Sequence, residues 1–321
     1  MISITEPELR SIALEHGYRP EILEKVYRLL DLLETFMRVP FLKDRLVLKG
    51  GTAINLFCVE QLPRLSLDLD FNYIGSVDRE VMISEKPELN RIITELCRSQ
   101  QYEIQRNPKE HAGGKMVLSY ASFFGTKGQL ELDINYLYRS VLWAPNWQYS
   151  ADWPKRVGVS VLDIHELAAG KLHALLDRHA ARDLFDSHRL LTQWVLDKNK
   201  LRTAFAVYAG MRKVSWKEMS TDQILFDIAD IRNKLIPVLQ RSVIPGTLSK
   251  EIQVWAERLV LECKKSFQDL LPFNTQEQLF LSCLDTEGEI RPEFLSSDDQ
   301  FCQRVKQHPL LQWRIKSRKK S

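Results

Sequence analysis

The chain has 321 residues, of which 44% are hydrophobic and 27% are charged. This composition predicts a folded, soluble protein, and the length predicts one large domain or two ordinary ones. The sequence contains no evident internal repeat and no low-complexity linker. The formal net charge of +3 is too small to demand a nucleic-acid partner, although a local basic patch would still permit one.

The cysteines are scattered, odd in number and never arranged as a Cys-x-x-Cys pair. This argues against a disulfide framework or a zinc ribbon and favours a reducing, cytoplasmic environment. No basic stretch followed by an apolar core opens the chain, and no apolar span approaches ~20 residues, so neither a signal peptide nor a membrane helix is expected. The five cysteines are Cys58, Cys97, Cys263, Cys283 and Cys302.

The first 45 residues are predicted to be helical. A short helix covers Glu6 to His16, and a longer one starts at Pro20 and ends before Pro40. Its apolar residues recur at helical spacing, which is typical of a helix packed on a core.

The segment from Lys49 to Phe71 reads as strand end, glycine turn, helix, loop and strand, after a buried strand at residues 46–48. Gly50 and Gly51 permit a tight turn in which the backbone approaches a ligand closely. Thr52 is predicted to cap the following helix, whose unpaired N–H groups would suit an anion such as phosphate.

Asp68 and Asp70 alternate with apolar residues in the second strand, so both carboxylates lie on one face. Side by side they repel and would raise one pKa unless a cation lies between them. Mg²⁺ suits such oxygen ligands, and a metal beside a phosphate cradle is typical of phosphoryl or nucleotidyl transfer. The alternative is a surface strand with solvated aspartates, because neither Asp-x-Asp nor Gly-Gly-Thr is specific alone, and the latter is not the Gly-x-x-x-x-Gly-Lys loop.

Beyond this segment the pattern predicts a loop from Ile74 to Lys86 and a helix from Pro87 to Gln100. A hairpin follows, with strands near residues 102–104 and 115–124 and a turn at 111–114. Lys115 follows two glycines and is interpreted either as a phosphate contact or as part of a surface turn.

Residues 129–136 alternate cleanly between apolar and polar side chains and predict a half-buried strand. Its polar face offers Asp133. If this strand neighbours the Asp68–Asp70 strand, three carboxylates converge, whereas alone Asp133 would be an exposed surface residue. Residues 143–157 are predicted to be an irregular connection.

Asp163 is predicted to cap a helix, with Glu166 completing a capping box. One helix is then expected to carry Lys171, Arg178 and Arg182 within a narrow arc. These cations would meet a triphosphate or the aspartates, or else form a solvated basic face. Asp183 and Asp186 are expected to pair locally, with Arg182 or a neighbouring residue.

The pattern is mostly helical from Lys200 onward, with a long amphipathic segment at 251–271. A basic tail ends the chain, which favours either nucleic-acid contact or simple solubility. The tail contains Arg314, Lys316, Arg318, Lys319 and Lys320.

Taken together, these motifs resemble the AbiEii-type nucleotidyltransferase toxins, which include the MenT proteins and belong to the DNA polymerase β-like nucleotidyltransferase superfamily. That superfamily carries a Gly-Gly/Ser turn, an Asp-x-Asp strand and a third carboxylate, and here Thr52 replaces the serine. The AbiEii helix signature, Lys-Leu-x-Ala-x-x-x-Arg-x-x-x-Arg-Asp-x-x-Asp, is matched at all seven positions. They are Lys171, Leu172, Ala174, Arg178, Arg182, Asp183 and Asp186.

The resemblance implies an α+β fold, with a mixed sheet and flanking helices in residues 1–160 and a helical domain in 161–321. It implies Mg²⁺ or Mn²⁺ at Asp68, Asp70 and Asp133, with Lys171 joining them as a catalytic residue. The residues implied to bind the nucleoside triphosphate are Lys49, Gly50, Gly51, Thr52, Lys171, Arg178, Arg182 and Asp183.

The implied activity is nucleotidyl transfer from an NTP to an acceptor, with tRNA favoured, by the toxin of a toxin–antitoxin or abortive-infection (phage defence) system. A cognate antitoxin would be encoded in the same operon. Two alternatives stay open: an NTP-binding regulatory module without turnover, and transfer to a protein hydroxyl.

Overall fold

The structure is a computed structural model that describes residues 2–59, 61–107, 113–212, 214–246 and 248–318. The chain divides into two compact units, each with its own contacts. The first comprises Met1–Arg139, Pro145–Leu162 and Pro237–Ile244, and the second comprises Ser140–Ala144, Asp163–Ile236 and Pro245–Ser321.

The first unit contains a seven-stranded mixed sheet, with strands in the order β3-β4-β5-β2-β1-β7-β6. The central strands β2 and β5 are parallel, whereas β1 runs antiparallel to β2 and parallel to β7. The strands are β1 (Leu46–Lys49), β2 (Asp68–Tyr73), β3 (Glu103–Arg106), β4 (Gly113–Ala121), β5 (Lys127–Asn135), β6 (Asn146–Tyr149) and β7 (Gly158–Val161).

In the described part of this unit the α-helices are α1 (Glu6–Glu15), α2 (Pro20–Met37), α3 (Pro40–Lys43), α4 (Gly50–Thr52) and α5 (Arg79–Ser99). The long helix α2 packs against β5 and β7. Leu29, Leu30 and Leu33 of α2 are fully buried, as are most apolar side chains of the central strands. Because strand side chains alternate, this packing leaves the polar side chains of β2 and β5 on the other face of the sheet.

Two sequence predictions in this unit are wrong. Helix α5 begins at Arg79 rather than Pro87, because the Asp78 carboxylate accepts hydrogen bonds from the N–H groups of Glu80 and Val81 and caps an earlier turn. Pro87 is accommodated inside the helix, where it removes one backbone donor. Strand β6 replaces part of the predicted irregular connection, because residues 146–149 pair antiparallel with β7.

The predicted hairpin is confirmed, since β3 pairs antiparallel with β4. Strand β4 starts at Gly113, so Gly113 and Gly114 belong to the strand and pair with Asn135 and Ile134 of β5. The first half of the predicted turn, residues 111–112, lies outside the described residues.

The second unit is helical, with several short 3₁₀ and π turns. Its helices are α6 (Ile164–Arg178), α7 (Ala181–Thr192), α8 (Lys198–Met211), α9 (Ile228–Asp230), α10 (Ser249–Ser266), α11 (Thr275–Ser282), α12 (Asp299–Lys306) and α13 (Pro309–Arg318). Within the described ranges, no helix is sufficiently long and apolar to cross a membrane.

The predicted basic tail is partly wrong. Arg314 is buried within α13, and its guanidinium donates to the carbonyl oxygens of Gly210 and Arg212 and to Asp285 Oδ1. It therefore ties α13 to α8 instead of extending into solvent. Lys319 and Lys320 lie outside the described residues.

Candidate active site

A row of four charged residues crosses the centre of the sheet. Lys49 of β1 lies opposite Asp70 of β2, Asp70 lies opposite Asp133 of β5, and Asp133 lies opposite Lys115 of β4. Directly opposed residues project from the same face of a sheet. Two aspartates therefore occupy the middle of the row, with a lysine at each end.

Asp68 and Glu131 form a second acidic pair on the same face, two positions before Asp70 and Asp133 along the parallel strands. Glu131 accepts a hydrogen bond from Lys115 Nζ at 2.5 Å. Sequence reasoning noticed Glu131 as part of the alternating pattern but did not single it out as a site residue. Its position opposite Asp68 depends on the β2–β5 register, which alternation within one strand cannot reveal.

The predicted approach of the three aspartates is confirmed for the backbone. Asp68, Asp70 and Asp133 lie on adjacent strands and are half-buried, with their carboxylates on one face. Adjacent strands are about 4.8 Å apart, so rotamer changes alone can bring the Asp70 and Asp133 carboxylates to a common ligand. The three carboxylates do not, however, converge on one metal position in this structure. In the described part of the chain, no three His, Cys, Asp or Glu side chains lie close enough together to coordinate an ion.

The donor set nevertheless fits a hard divalent cation. All three side chains supply carboxylate oxygens, which Mg²⁺ and Mn²⁺ prefer. Among the described residues, neither Asp70 nor Asp133 uses its carboxylate in a side-chain hydrogen bond or ion pair. Half-buried carboxylates grouped in this way are suited to a cation that compensates their mutual repulsion.

The glycine turn lies against the aspartate strand. Gly50 has a φ of +73°, and a Cβ at this position would overlap Asp70 Oδ2. A Cβ on Gly51 would lie 3.0 Å from Arg64 Nη2 and 3.0 Å from Ser66 Oγ. Gly50 needs glycine because of its left-handed backbone conformation and its close approach to Asp70, whereas a side chain at Gly51 would require only that the ends of the Arg64 and Ser66 side chains shift slightly.

Thr52 does not cap the helix as predicted. Lys49 occupies the N-cap position of α4 without a side-chain hydrogen bond, and α4 continues directly into a π-helical turn at Ala53–Phe57. The buried Thr52 hydroxyl instead donates to the Asp68 carbonyl oxygen at 2.5 Å. Sequence position alone suggested that Thr52 caps a helix, but its hydroxyl finds a hydrogen-bond acceptor in the neighbouring strand β2. Thr52 therefore holds the glycine turn against β2.

Lys115 stands in a strongly acidic environment. Its hydrogen bond to Glu131 is the main reason that its pKa is raised above the ordinary value. The charges of Glu131, Asp68 and Asp70 add to this effect. The side chain remains 53% exposed, so the ammonium group reaches solvent beside the carboxylates.

A second charged cluster lies within the helical unit. Lys171 Nζ is 2.9 Å from Asp183 Oδ1 and 3.1 Å from Asp186 Oδ2, and Arg178 Nε is 2.5 Å from Asp183 Oδ2. Lys171 is 8% exposed and both carboxylates are almost fully buried. Burial alone would raise the pKa of Asp183, but the charges of Lys171 and Arg178 outweigh it and lower the pKa below its ordinary value.

The predicted single helix with a cationic stripe is wrong. His179 has a φ of +50° and ends α6, and a new helix, α7, begins at Ala181. Arg182 therefore does not continue the helical arc of Lys171 and Arg178. Asp183 pairs with nearby Arg178, as the expected local pairing allowed, and Asp183 and Asp186 also reach back to Lys171 across the junction and join the two helices.

The predicted capping box at α6 is also wrong. Asp163 caps the helix by accepting from His165 N–H, but the Glu166 carboxylate accepts from Leu142 N–H instead of reaching back. Glu166 is 2% exposed, and this burial raises its pKa to about 8. Its role in the structure is to hold residues 140–144 against α6.

A mixed sheet that carries carboxylates on its two central parallel strands, with a glycine turn against them, is the arrangement expected of a nucleotidyltransferase. A family model described as nucleotidyl transferase AbiEii toxin, type IV toxin–antitoxin system, matches residues 31–271. The chain therefore belongs to the AbiEii nucleotidyltransferase toxin family. It is a nucleotidyl-transfer enzyme, and membership of a toxin–antitoxin family implies a nucleotide substrate and an antitoxin partner.

The fold is similar to that of MenT4, a nucleotidyltransferase toxin from Mycobacterium tuberculosis H37Rv. The TM-score is 0.57 at 15% sequence identity, and the match covers 97% of this chain and 99% of that one. At this identity the likeness concerns the fold, and it confirms the predicted α+β class. A comparison with curated protein sequences gives no match.

Proposed function

We propose that the protein transfers a nucleoside monophosphate from an NTP to an RNA acceptor, with tRNA as the first candidate, in a reaction that requires Mg²⁺ or Mn²⁺. It would do so in the cytoplasm, as the toxin of a toxin–antitoxin pair that serves phage defence. The observation that carries the proposal is the register that sets Asp70 directly beside Asp133, with Asp68 on the same face.

Asp68, Asp70 and Asp133 would hold the metal, which would neutralise triphosphate charge and orient the phosphates for attack. Instead of completing the metal site, Asp133 would alternatively accept the proton of the attacking hydroxyl. In the transfer, the acceptor oxygen bonds to the α-phosphorus, the bond from that phosphorus to the bridging oxygen of the β-phosphate breaks, and pyrophosphate leaves with the electron pair.

The backbone N–H groups of Gly50 and Gly51 would contact the triphosphate beside Asp70. Support comes from the close approach of the turn to Asp70, which a side chain at Gly50 would disturb. The nucleotide-binding roles implied for Lys49, Thr52, Lys171, Arg178, Arg182 and Asp183 stay predictions. For Lys171 and Asp183 they must be reconciled with the buried ion pairs that these two residues already make.

The test is incubation of the purified protein with each of the four labelled NTPs, total tRNA, and Mg²⁺, Mn²⁺ or a chelator. Wild-type protein should label RNA with one or two of the NTPs, and only when metal is present. Asp70→Asn should reduce the rate about a thousandfold or more, which corresponds to ~4 kcal/mol of barrier, while circular dichroism and the melting temperature stay close to wild type. Asp152→Asn is the matched control, because this aspartate is 84% exposed and pairs only with the surface residue Arg156 among the described residues.

Three results would contradict the proposal. Labelling of a polypeptide instead of RNA would indicate a protein hydroxyl as the acceptor. Saturable NTP binding without any product would indicate a regulatory module. Full activity of a folded Asp70→Asn protein would reject the assignment of the metal ligands.

The toxin assignment is tested separately. Induced expression in a bacterial host should arrest growth, and Asp70→Asn should abolish the arrest without lowering the protein level. Coexpression of the neighbouring reading frame should restore growth, and the intact pair should lower phage plating efficiency. Growth arrest by the Asp70→Asn variant would show that toxicity does not depend on transfer.

A further inference from the structure

The end of the charged row that lies farthest from the glycine turn carries Lys115. Adjacent strands are about 4.8 Å apart, so the backbones of Lys49 and Lys115 are separated by three strand spacings, or ~14 Å, with Asp70 and Asp133 between them. The turn follows Lys49 directly and touches Asp70. The two ends of the row are therefore chemically different places, although both carry a lysine.

The geometry of phosphoryl-type transfer determines on which side of the row each substrate binds. The attacking and leaving oxygens lie roughly in line on opposite sides of the phosphorus. With the triphosphate tail at the glycine turn and the α-phosphate beside the aspartates, the attacking hydroxyl approaches from the side of Asp133 and Lys115.

From this geometry we propose that Lys115 binds a phosphate of the acceptor, next to the hydroxyl that attacks, and that Glu131 holds the lysine in place until the acceptor arrives. The proposal rests on the proposed function and deepens it. It assigns an acceptor of a particular class, a nucleic-acid end in which a phosphodiester precedes the reacting hydroxyl.

In this proposal Lys115 exchanges Glu131 for the acceptor phosphate, and the Lys115–Glu131 pair is weak enough to allow it. The two side chains are 53% and 38% exposed, and exposed ion pairs contribute little net free energy, typically about 0–1 kcal/mol. Replacing Glu131 by a phosphate therefore costs little. Lysine offers a flexible point charge without base recognition, so the contact would position the acceptor and would not select its sequence.

The main chain next to a serine, threonine or tyrosine hydroxyl of a protein contains no phosphate, whereas the main chain of RNA does. A lysine beside the attacking group consequently favours RNA over a polypeptide acceptor. Lys115 is a positioning residue in this scheme, and the transfer itself remains with the aspartates.

The experiment measures initial rates of RNA labelling for wild type, Lys115→Gln and Lys127→Gln, varying tRNA at saturating NTP and then NTP at saturating tRNA. Lys127 is a matched control, because it forms a similarly exposed pair with Glu103 on the same sheet, six residues from Asp133. Lys115→Gln should raise the KM for tRNA about tenfold and leave the KM for NTP within twofold. The slope of log affinity against log salt should become shallower by about one unit, as expected for one lost phosphate contact.

A synthetic RNA whose terminal phosphodiester is an uncharged methylphosphonate tests the contact directly. The neutral linkage should raise the acceptor KM for wild type and should have little further effect on Lys115→Gln. Glu131→Gln, which removes the competing carboxylate, should lower the acceptor KM or leave it unchanged.

A rise in the KM for NTP alone, an equal effect of Lys127→Gln, or equal sensitivity of both proteins to the neutral linkage would overturn the inference. If wild type labels no RNA, the proposed function fails instead. RNA binding measured without nucleotide separates the two cases: weaker binding by Lys115→Gln still supports the contact, and equal binding rejects it.

Discussion

Asp70 and Asp133 face each other directly across the parallel strands β2 and β5, although 63 positions separate them in the chain. The hairpin of β3 and β4 and the helix α5 lie between them in sequence. The pairing places both carboxylates on the face that α2 does not cover. The condition on which the sequence predicted a site, that these two strands are neighbours, is therefore met, and lysines from two further strands lie at its borders.

The close approach of the glycine turn to Asp70 predicts that Gly50→Ala damages both stability and activity. The substitution must adopt a φ of +73° and also displace the Asp70 carboxylate. The backbone conformation alone costs on the order of 1 kcal/mol for a non-glycine residue. The displaced carboxylate should additionally lower the transfer rate by at least tenfold.

Gly125→Ala is the matched control for this experiment. Gly125 has a nearly identical φ of +72°, and its added Cβ would meet nothing within 4 Å among the described residues. By urea unfolding it should lose only the stability that the backbone conformation costs, and it should keep full activity. Equal activity losses in the two variants would refute a specific effect on Asp70.

The buried cluster in the helical unit predicts that Lys171→Met strongly destabilises the protein. Removing this cation leaves Asp183 and Asp186 buried with one positive charge fewer, and breaking a buried pair typically costs about 3–5 kcal/mol. Lys198→Met serves as the control, since Lys198 is 78% exposed and its pair with Asp269 should contribute less than about 1 kcal/mol.

Thermal melting and transfer assays below the melting temperature separate a structural from a catalytic role of Lys171. A Lys171→Met protein that is fully stable but inactive would show that the lysine acts on the nucleotide alone. One that is unstable, and active while folded, would show that its role is to join α6 and α7.

The raised pKa of buried Glu166 predicts that stability falls as the pH rises from about 4.5 to about 8. Burial raises its pKa to about 8 from an ordinary value of 4.5, so between these values the native state binds a proton that the unfolded state has lost. The free energy of unfolding therefore decreases with rising pH across this window. The limiting slope for one group is about 1.4 kcal/mol per pH unit.

Buried His173 has the opposite effect on the pH dependence of stability, and it does so at lower pH. Burial lowers its pKa to about 3 from an ordinary value of 6.5, so its contribution increases stability as the pH rises between these values. The effect of Glu166 is therefore best measured from pH 6.5 to 8, by urea unfolding of wild type and Glu166→Gln. The variant keeps an oxygen for Leu142 N–H and should show a flatter pH dependence, whereas an identical slope would contradict the assignment to Glu166.

The spacing of apolar and polar residues correctly predicted the strands and helices that bury one face and expose the other. The alternation around Asp68, Asp70 and Asp133 indicated correctly that each carboxylate lies on the polar face of a strand. Helix α2 and the segment of α10 followed in the same way from their apolar spacing. The helix signature from Lys171 to Asp186 led to the family, since seven residues at fixed spacing are specific whatever their conformation.

Predictions from local spacing were wrong where a side chain forms a hydrogen bond or ion pair that the predicted element does not include. A continuous helix through His179 satisfied the pattern, but the left-handed turn there allows Asp183 to meet Lys171. Thr52 stood at a helix start by position, yet the Asp68 carbonyl was the closer acceptor. Glu166 matched a capping box, but its carboxylate found the Leu142 N–H.

The sequence by itself therefore determined the family, the strand faces and the identity of the acidic residues, because these depend on residue type and on short-range periodicity. Only the tertiary structure decided that Asp133 lies beside Asp70, that Lys115 ends the same row, and that Lys171 is enclosed between two carboxylates. Strand register and helix junctions are set by contacts between residues far apart in the chain, and no local spacing encodes which distant partner will be nearest.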